Sequence, residues 1–303
     1  MFRDGDKVVL QSRNGKELGR YFPELEQALR DELAPRCVLD GEVVVPREIG
    51  GRIRLDWESL SQRIHPAATR IKMLAEQTPA HFIGFDALAT GDTSLMREPF
   101  RVRRDALSES VNEKHWCHVT RTTEDPGQGA QWLDTFEGAG LDGVIAKRLD
   151  GPYLPGKREM VKVKHARDAD CVAIGYRIHK SGEGVGSILL GLYRDDGELD
   201  YVGTAAVAAS RHDEILKRIR PLLKGAPNRG FSEPNRWGSG ELAQSAVKPK
   251  LVVEVRYDKV QGHRFRHGTK LIRFREDKDP EQCTWREVRE PPGKLTVAKL
   301  LAG

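Results

Sequence analysis

Met160-Val161-Lys162-Val163-Lys164-His165-Ala166-Arg167-Asp168-Ala169-Asp170, residues 160–170, decides how the chain divides. The first five residues mix apolar and β-branched side chains with lysines, which reads as a strand. Residues two apart on a strand share a face, so Lys162 and Lys164 emerge side by side, backed by Met160, Val161 and Val163. Two adjacent ammonium groups repel each other, and the pair becomes favourable when a polyanion sits between them. A phosphate-rich ligand is expected there. The polar run from His165 to Asp170 then reads as a hinge or linker, separating a unit over residues 1–166 from one over residues 167–303.

On the near side of that boundary, helix and strand signals alternate. Pro23 opens a helix whose apolar residues Leu25, Ala28, Leu29 and Leu33 recur at helical spacing. Val38–Val45 reads as a strand stopped by Pro46, Trp57–Ile64 as a short helix, Phe82–Leu88 as a buried strand and Phe100–Val111 as a basic amphipathic helix. Gly143–Lys147 is a further strand. At the start of the chain, Asp4-Gly5 is a hairpin turn signal with Val8-Val9-Leu10 returning from it. Only three residues precede the turn, fewer than a strand of about five.

Beyond the boundary come short strands at Cys171–Tyr176, Ser187–Tyr193, Tyr201–Thr204, Leu251–Tyr257 and Lys270–Phe274, with one helix over Arg211–Leu223. Five short strands and one helix suggest a small closed β-barrel of the oligonucleotide-binding kind. The chain has 303 residues, 38% of them hydrophobic, and a net charge of +5, a mildly basic balance that permits nucleic acid. No apolar run is long enough to span a bilayer, and the first residues have no secretory core. Four cysteines lie far apart with no Cys-x-x-Cys pair, which reads as reduced thiols without zinc in a cytoplasmic protein.

Five further segments carry charge where a strand or turn would place it. Ser12-Arg13-Asn14-Gly15-Lys16 reads either as a plain β-turn or as a turn presenting Arg13 and Lys16 to a nucleotide. Asp40-Gly41-Glu42 sets two carboxylates on one face of a hydrophobic strand, where they are solvated at a bulge or meet a ribose, a cation or a lysine. Phe85-Asp86 is a core strand or a base-stacking ring beside a supporting acid. Asp142-Gly143-Val144-Ile145-Ala146-Lys147 adds another acid and lysine. Arg275-Glu276-Asp277-Lys278 follows the last strand.

In this order, together with Gly151-Pro152-Tyr153, Gly156-Lys157-Arg158 and the Val247–Val255 run, the segments resemble the covalent nucleotidyltransferases. They are most similar to small bacterial ATP-dependent DNA ligases of the end-joining type, over essentially the whole chain. The resemblance implies an α+β fold, a nucleotidyltransferase (adenylation) domain followed by an OB-fold domain. It implies lysyl-AMP formation from ATP, transfer of AMP to a DNA 5′-phosphate, and attack by the 3′-hydroxyl, in DNA repair or recombination. Lys162 and Lys164 would grip the α-phosphate, with Arg275, Asp277 and Lys278 at the pyrophosphate. Arg13, Glu42, Phe85 and Lys147 would hold the nucleotide, and Asp40 and Asp142 would hold Mg2+ (or Mn2+). Lys16, Arg158, Arg101, Arg104, Arg264 and Arg266 would meet DNA phosphates at nicks or ends, independently of base sequence. A monomer recruited by end-joining repair proteins, away from any membrane, is expected.

Two departures accompany the resemblance. Asp142 stands where the family usually has glutamate. The nucleophile motif Lys-x-Asp-Gly-x-Arg is absent, and Arg3-Asp4-Gly5-Asp6 has no lysine before its Asp-Gly. With the half-hairpin, this reads as a truncated or misassigned start, and the chain as given is expected not to self-adenylate. The competing expectations are an RNA ligase or capping-type nucleotidyltransferase, and a module that only binds nicked DNA.

Overall fold

A computed structural model describes residues 1–141, 143–157, 159–179, 184–223 and 244–288. It forms two units, the first from Met1 to His165 and the second beginning at Ala166.

In the first unit, β1 (Phe2–Asp4) and β2 (Lys7–Val9) form the expected hairpin, but its turn is one residue on: Asp4 pairs with Lys7, and Gly5-Asp6 makes the two-residue loop with Gly5 at φ +60°. Pro23 occupies the first turn of α1 (Pro23–Glu32), where its missing N–H costs nothing, and Leu25, Ala28 and Leu29 are buried. The main sheet runs β2-β1-β3-β6-β7, with β3 at Arg36–Val44, β6 at His81–Thr90 and β7 at Thr93–Ser94. Pro46 does not end the chain's extended course. It opens β4 (Pro46–Ile49), which pairs with β5 (Arg52–Leu55) in a separate two-stranded ribbon. Two short helices follow, α2 (Trp57–Gln62) and α3 (Ala68–Gln77). Next come α4 (Phe100–Ser110), β8 (Cys117–Val119), which joins β6 in parallel, and α5 (Pro126–Thr135). A second two-stranded ribbon pairs β9 (Val144–Ala146) with β10 (Val161–Val163).

β3 and β6 form the longest pairing of this unit, and it is irregular where the chemistry lies. Asp40 pairs with Asp86 and Gly41 with Gly84, so Phe85 is an extra residue on one strand. Such a bulge re-aims the side chain it carries. Gly41 is required by close approach: a Cβ there would sit 2.4 Å from Phe82 Cζ and 2.5 Å from the Ile83 carbonyl oxygen.

In the second unit, β11 (Arg167–Ile178), β12 (Val185–Tyr193), β13 (Leu199–Ala206), β14 (Gln244–Tyr257) and a fifth strand at Thr269–Phe274 close a barrel. The closure order runs first, second, third, fifth, fourth, and α6 (His212–Ile219) follows the third strand. Cys171, Val172, Ala173, Ile188, Leu190 and Val253 belong to the hydrophobic core built on both of its faces. The expected linker at His165–Asp170 is corrected: β11 begins at Arg167. Asp168 and Asp170 lie on one face of that strand, opposite Arg256 and Glu254 of β14. Arg256 holds Asp168 bidentately at 2.8 and 3.0 Å. Their charge is therefore the paired face of a strand, not the composition of a loop.

Three polar groups tie the first unit together. Arg63, fully buried, donates to both Glu24 carboxylate oxygens at 2.6 and 2.9 Å and to the carbonyls of Tyr21 and Thr78. Glu32 accepts the backbone N–H groups of Trp116 and Cys117 at 2.9 and 2.8 Å, fastening α1 to β8. His81 Nδ1 and His118 Nε2 lie 3.0 Å apart in nearly parallel rings. Two nitrogens that close share one proton; a second would set two donors face to face. Burial, then the neighbouring His118 and His115, pushes the His81 imidazole down to about 4 from an ordinary 6.5, against a smaller opposing pull from Glu32. The unfolded chain then binds more protons than the folded one between those values, so this pair makes stability fall as pH drops through that window. Urea titrations at steps from pH 7 to pH 4.5 should show this decline, and His81→Gln should make it shallower. An unchanged slope in the variant contradicts the shared-proton pair.

Candidate active site

The site is organised around a carboxylate that β6 places indoors. Asp86 is 1% exposed. Arg103 of α4 grips it with Nε on Oδ1 at 2.8 Å and Nη2 on Oδ2 at 3.2 Å, and Lys147 Nζ reaches the same Oδ2 at 3.2 Å. A carboxylate this deep is stable only when paired and hydrogen-bonded. Arg103 also donates to the carbonyls of Glu98 and Gly151, and so draws the 151–153 loop toward β6. Tyr153 on that loop donates its hydroxyl to Asp40 Oδ2 at 2.7 Å. Burial, with that hydrogen bond, raises the Tyr153 hydroxyl well above its ordinary range and keeps it a donor.

Lys147 is the cation of the group that meets aromatic rings as well as Asp86. Its Nζ donates to the Phe85 carbonyl at 3.2 Å and stands 5.3 Å from the Phe85 ring centroid and 4.5 Å from that of Phe100. Burial lowers its pKa, opposed by the Asp86 charge. The structure thus gathers Asp40, Phe85 and Lys147, with Asp86, Arg103 and Tyr153 as supports.

Lys162 lies opposite Ile145 in the β9–β10 ladder, so the two share a face. Continuing the pleat puts Lys164 and Lys147 on that same side. One correction applies. Met160, Val161 and Val163 do not form a buried backing, since they are 50%, 62% and 43% exposed. A two-stranded ribbon is too thin to bury both of its faces.

Arg13 and Lys16 lie exposed on a tight turn, closed by the Gly15 N–H to the Ser12 carbonyl and by Ser12 Oγ accepting from the Lys16 N–H. Glu42 is exposed on β3. Asp142 and Arg158 lie outside the described residues. Among the described residues no group of three His, Cys, Asp or Glu is arranged to hold a metal ion. Asp40 keeps Oδ1 beside the Tyr153 bond. One carboxylate fits Mg2+, which commonly binds through one or two carboxylates plus substrate phosphates.

In the second unit, Arg275 and Lys278 converge on Asp170 Oδ2 at 2.8 and 2.9 Å. Arg275 also holds Asp277 bidentately, and Lys278 holds Glu287 at 2.5 Å. The Arg275 hydrogen bonds bring the Asp277 carboxyl down to about 2. Burial would lower the Lys278 pKa, but Glu287 and Asp170 outweigh it and raise it. Asp170 and Glu287 were not expected from the sequence; the Asp-x-Asp alternation of β11 is the signal for the first.

The residues expected at DNA phosphates separate by burial. Arg101 is exposed on α4. Arg104 donates to the Thr120 hydroxyl at 3.1 Å and to its carbonyl, tying α4 to the loop after β8. Arg264 is exposed and stands over the Tyr201 ring at 5.2 Å, and Arg266 is half-buried. Arg103→Leu, which leaves Asp86 with one cation, should cost about 3–5 kcal/mol of stability in denaturant titrations. Arg101→Leu, at a surface position on the same helix, should stay within about 0.5 kcal/mol. Equal effects contradict the assignment of Arg103 to the interior.

Comparison with known proteins agrees with this arrangement. Residues 1–164 match the ATP dependent DNA ligase domain, and residues 181–278 match the ATP dependent DNA ligase C terminal region. DNA ligase C1 of Mycolicibacterium smegmatis is 67% identical over 298 residues, covering 96% of this chain and 85% of that protein. DNA ligase C of Mycobacterium tuberculosis is 44% identical, covering 98% and 87%. A solved Lig E DNA ligase, 15% identical with a TM-score of 0.54 over 90% of this chain and 91% of its own, shares the fold. Among the described residues no helix is long and apolar enough to cross a membrane. With its first half matched end to end by the ligase domain and two thirds of its residues shared with one relative, the chain belongs to the ATP-dependent DNA ligase family.

Proposed function

We propose that this chain seals breaks in duplex DNA by joining a 3′-hydroxyl to an adenylated 5′-phosphate, and that as given it does not load AMP onto itself. The observation that carries the reading is the shared face of Lys147, Lys162 and Lys164, with Lys147 fixed to Asp86 and to the Phe85 carbonyl. Phosphoryl transfer needs in-line positioning and charge neutralisation more than a protein nucleophile at the reacting phosphate. The lysine face supplies positive charge. The Phe85 ring supplies a stacking surface for adenine, and Arg13 and Glu42 are assigned to the ribose side. Bound Mg2+ would neutralise phosphate charge, with Asp40 as its carboxylate and Tyr153 fixing that carboxylate's rotation; Asp142 is the second candidate ligand.

In the joining step, the 3′ oxygen forms a bond to the 5′ phosphorus as the bond from that phosphorus to AMP breaks. AMP leaves with the electron pair, and the hydroxyl proton passes to solvent. Lys162 and Lys164 counter the charge that builds on the phosphate oxygens. Arg275 and Lys278 are assigned to pyrophosphate, which enters only when ATP is consumed. Lys16, Arg101, Arg264 and Arg266 are assigned to DNA phosphates. A monomer in the cytoplasm working with end-joining proteins is the proposed setting; four buried, unpaired cysteines suit a reducing compartment.

Two incubations test this. With α-labelled ATP and Mg2+, the chain should retain no label after denaturation, because it has no Lys-x-Asp-Gly-x-Arg. With nicked duplex already carrying 5′-AMP, it should release AMP and seal the strand. Lys162→Ala should slow that step by about 100-fold, as expected for losing one donor to a developing oxyanion. Stable label would refute the loading statement, while a chain that binds but never seals the adenylated nick would be a binding module.

A further inference from the structure

The β4–β5 ribbon is absorbed by none of the roles above. Its register pairs Arg47 with Arg54 and Ile49 with Arg52, while Glu48 pairs with Ile53. Cross-strand partners share a face, and residues two apart on one strand share it too. Arg47, Arg52, Arg54 and Ile49 therefore stand on one face, and Glu48 and Ile53 on the other. Ribbon residues 46–55 carry three arginines against one glutamate.

The ribbon has an anchored base and an open tip. The Asp56 N–H donates to the Val45 carbonyl at 2.8 Å, and the Leu55 N–H to the Ala139 carbonyl at 2.9 Å. Leu55 packs with Phe136 and Ala139, on the segment that leads into β9 and its lysines. At the other end Gly50 and Gly51 turn with φ of +62° and +74°, and nothing lies within 4 Å of where their Cβ atoms would be. Ile49 and Ile53 are 42% and 37% exposed. Arg47, nearest the base, is steadied by Ser59 Oγ at 3.0 Å and by the Asp56 carboxylate at 3.4 Å.

We infer that the arginine face of this ribbon is a second duplex-DNA contact, holding phosphodiester groups. It rests on the family's DNA substrate and on charge: three guanidinium groups, each a fork that matches phosphate, spaced along one face of a firmly based strand pair. A two-stranded ribbon is also a shape that the major groove of B-DNA admits. The contact is assigned to backbone phosphates, which a guanidinium fork matches at every step of a duplex whatever its sequence.

The test measures binding of the full chain to a nicked duplex oligonucleotide by fluorescence anisotropy across a salt series. Arg52→Gln with Arg54→Gln should weaken binding about tenfold at moderate salt. It should also flatten the plot of log affinity against log salt by up to about 2, near 0.9 for each phosphate released. Lysines at the same two positions should keep the slope. Glu48→Gln, on the opposite face, should leave the slope unchanged, and thermal midpoints should match throughout. Unaltered affinity and slope in the glutamine variant, or weaker binding at an unaltered slope, would overturn the contact. Sealing of adenylated nicks by the unmodified chain is scored separately, so a failed ribbon leaves the ligase reading standing.

Discussion

A buried carboxylate between two cations sets the terms for the first unit. Asp86, 1% exposed, is held between Arg103 and Lys147, and removing one partner of such a buried set is strongly destabilising. The three groups come from β6, α4 and the residue after β9, so one electrostatic requirement fixes three elements that are distant in sequence. Arg103 extends the constraint through the Gly151 carbonyl to the loop carrying Tyr153, and Tyr153 extends it to Asp40. Phe85 is held by the bulge one residue before Asp86 and by the Lys147 bond to its carbonyl. Phe85 and Asp40, proposed to meet nucleotide and metal, are thereby oriented through a chain of buried polar contacts that starts at Asp86.

The barrel repeats the device near its surface. Asp170 receives Arg275 and Lys278 on one oxygen, as Asp86 receives Arg103 and Lys147 on two. The difference lies in what surrounds the cations. Arg103 is 3% exposed and committed to interior carbonyls, whereas the Arg275 side chain is 21% exposed and flanked by the exposed Asp277. An anionic phosphate can exchange for the exposed Asp277 carboxylate at Arg275 with little change in local charge, while Asp170, itself 6% exposed, keeps its cations. Around Arg103 the same exchange would strand a buried acid. The first triad suits architecture and the second suits a site that changes partners.

How much of this the sequence discloses depends on which physical pattern carries it. Short apolar runs exposed β3, β6 and most of the barrel strands, and the Asp-Gly signal found the first hairpin, whose turn lies one residue on at Gly5-Asp6. The strand at Arg167–Asp170 stayed hidden because its outward face is charged, so composition resembled a linker while the alternation of Asp168 and Asp170 was that of a strand. The β4–β5 ribbon stayed hidden because Pro46 reads as a stop, although proline is admissible at the first residue of an edge strand. Phe85 and Asp40 were legible as strand residues with unexpected chemistry. Tyr153 was legible only as part of a loop, because its hydrogen bond spans 113 positions.

The arginines of α4 show the limit most sharply. Arg101, Arg103 and Arg104 carry the same charge on the same two turns, and composition alone assigns all three to DNA. The buried set of that helix is Phe100, Arg103, Leu107 and Ser110, spaced three, four and three apart. That is the spacing of an apolar stripe, with Arg103 occupying one of its positions. A cation on the stripe predicts a buried acid opposite, and Asp86, the one acid inside the Phe82–Leu88 strand, answers it. Arg104 follows by one position of rotation and reaches only as far as Thr120, while Arg101 turns outward. The same reasoning in the β4–β5 ribbon reaches the opposite result: its arginines alternate on an exposed face, with no apolar stripe to draw them inward. Position on a periodic element, more than charge, decides which arginines are drawn into the interior and which stand on an outer face, where the phosphate contact is proposed.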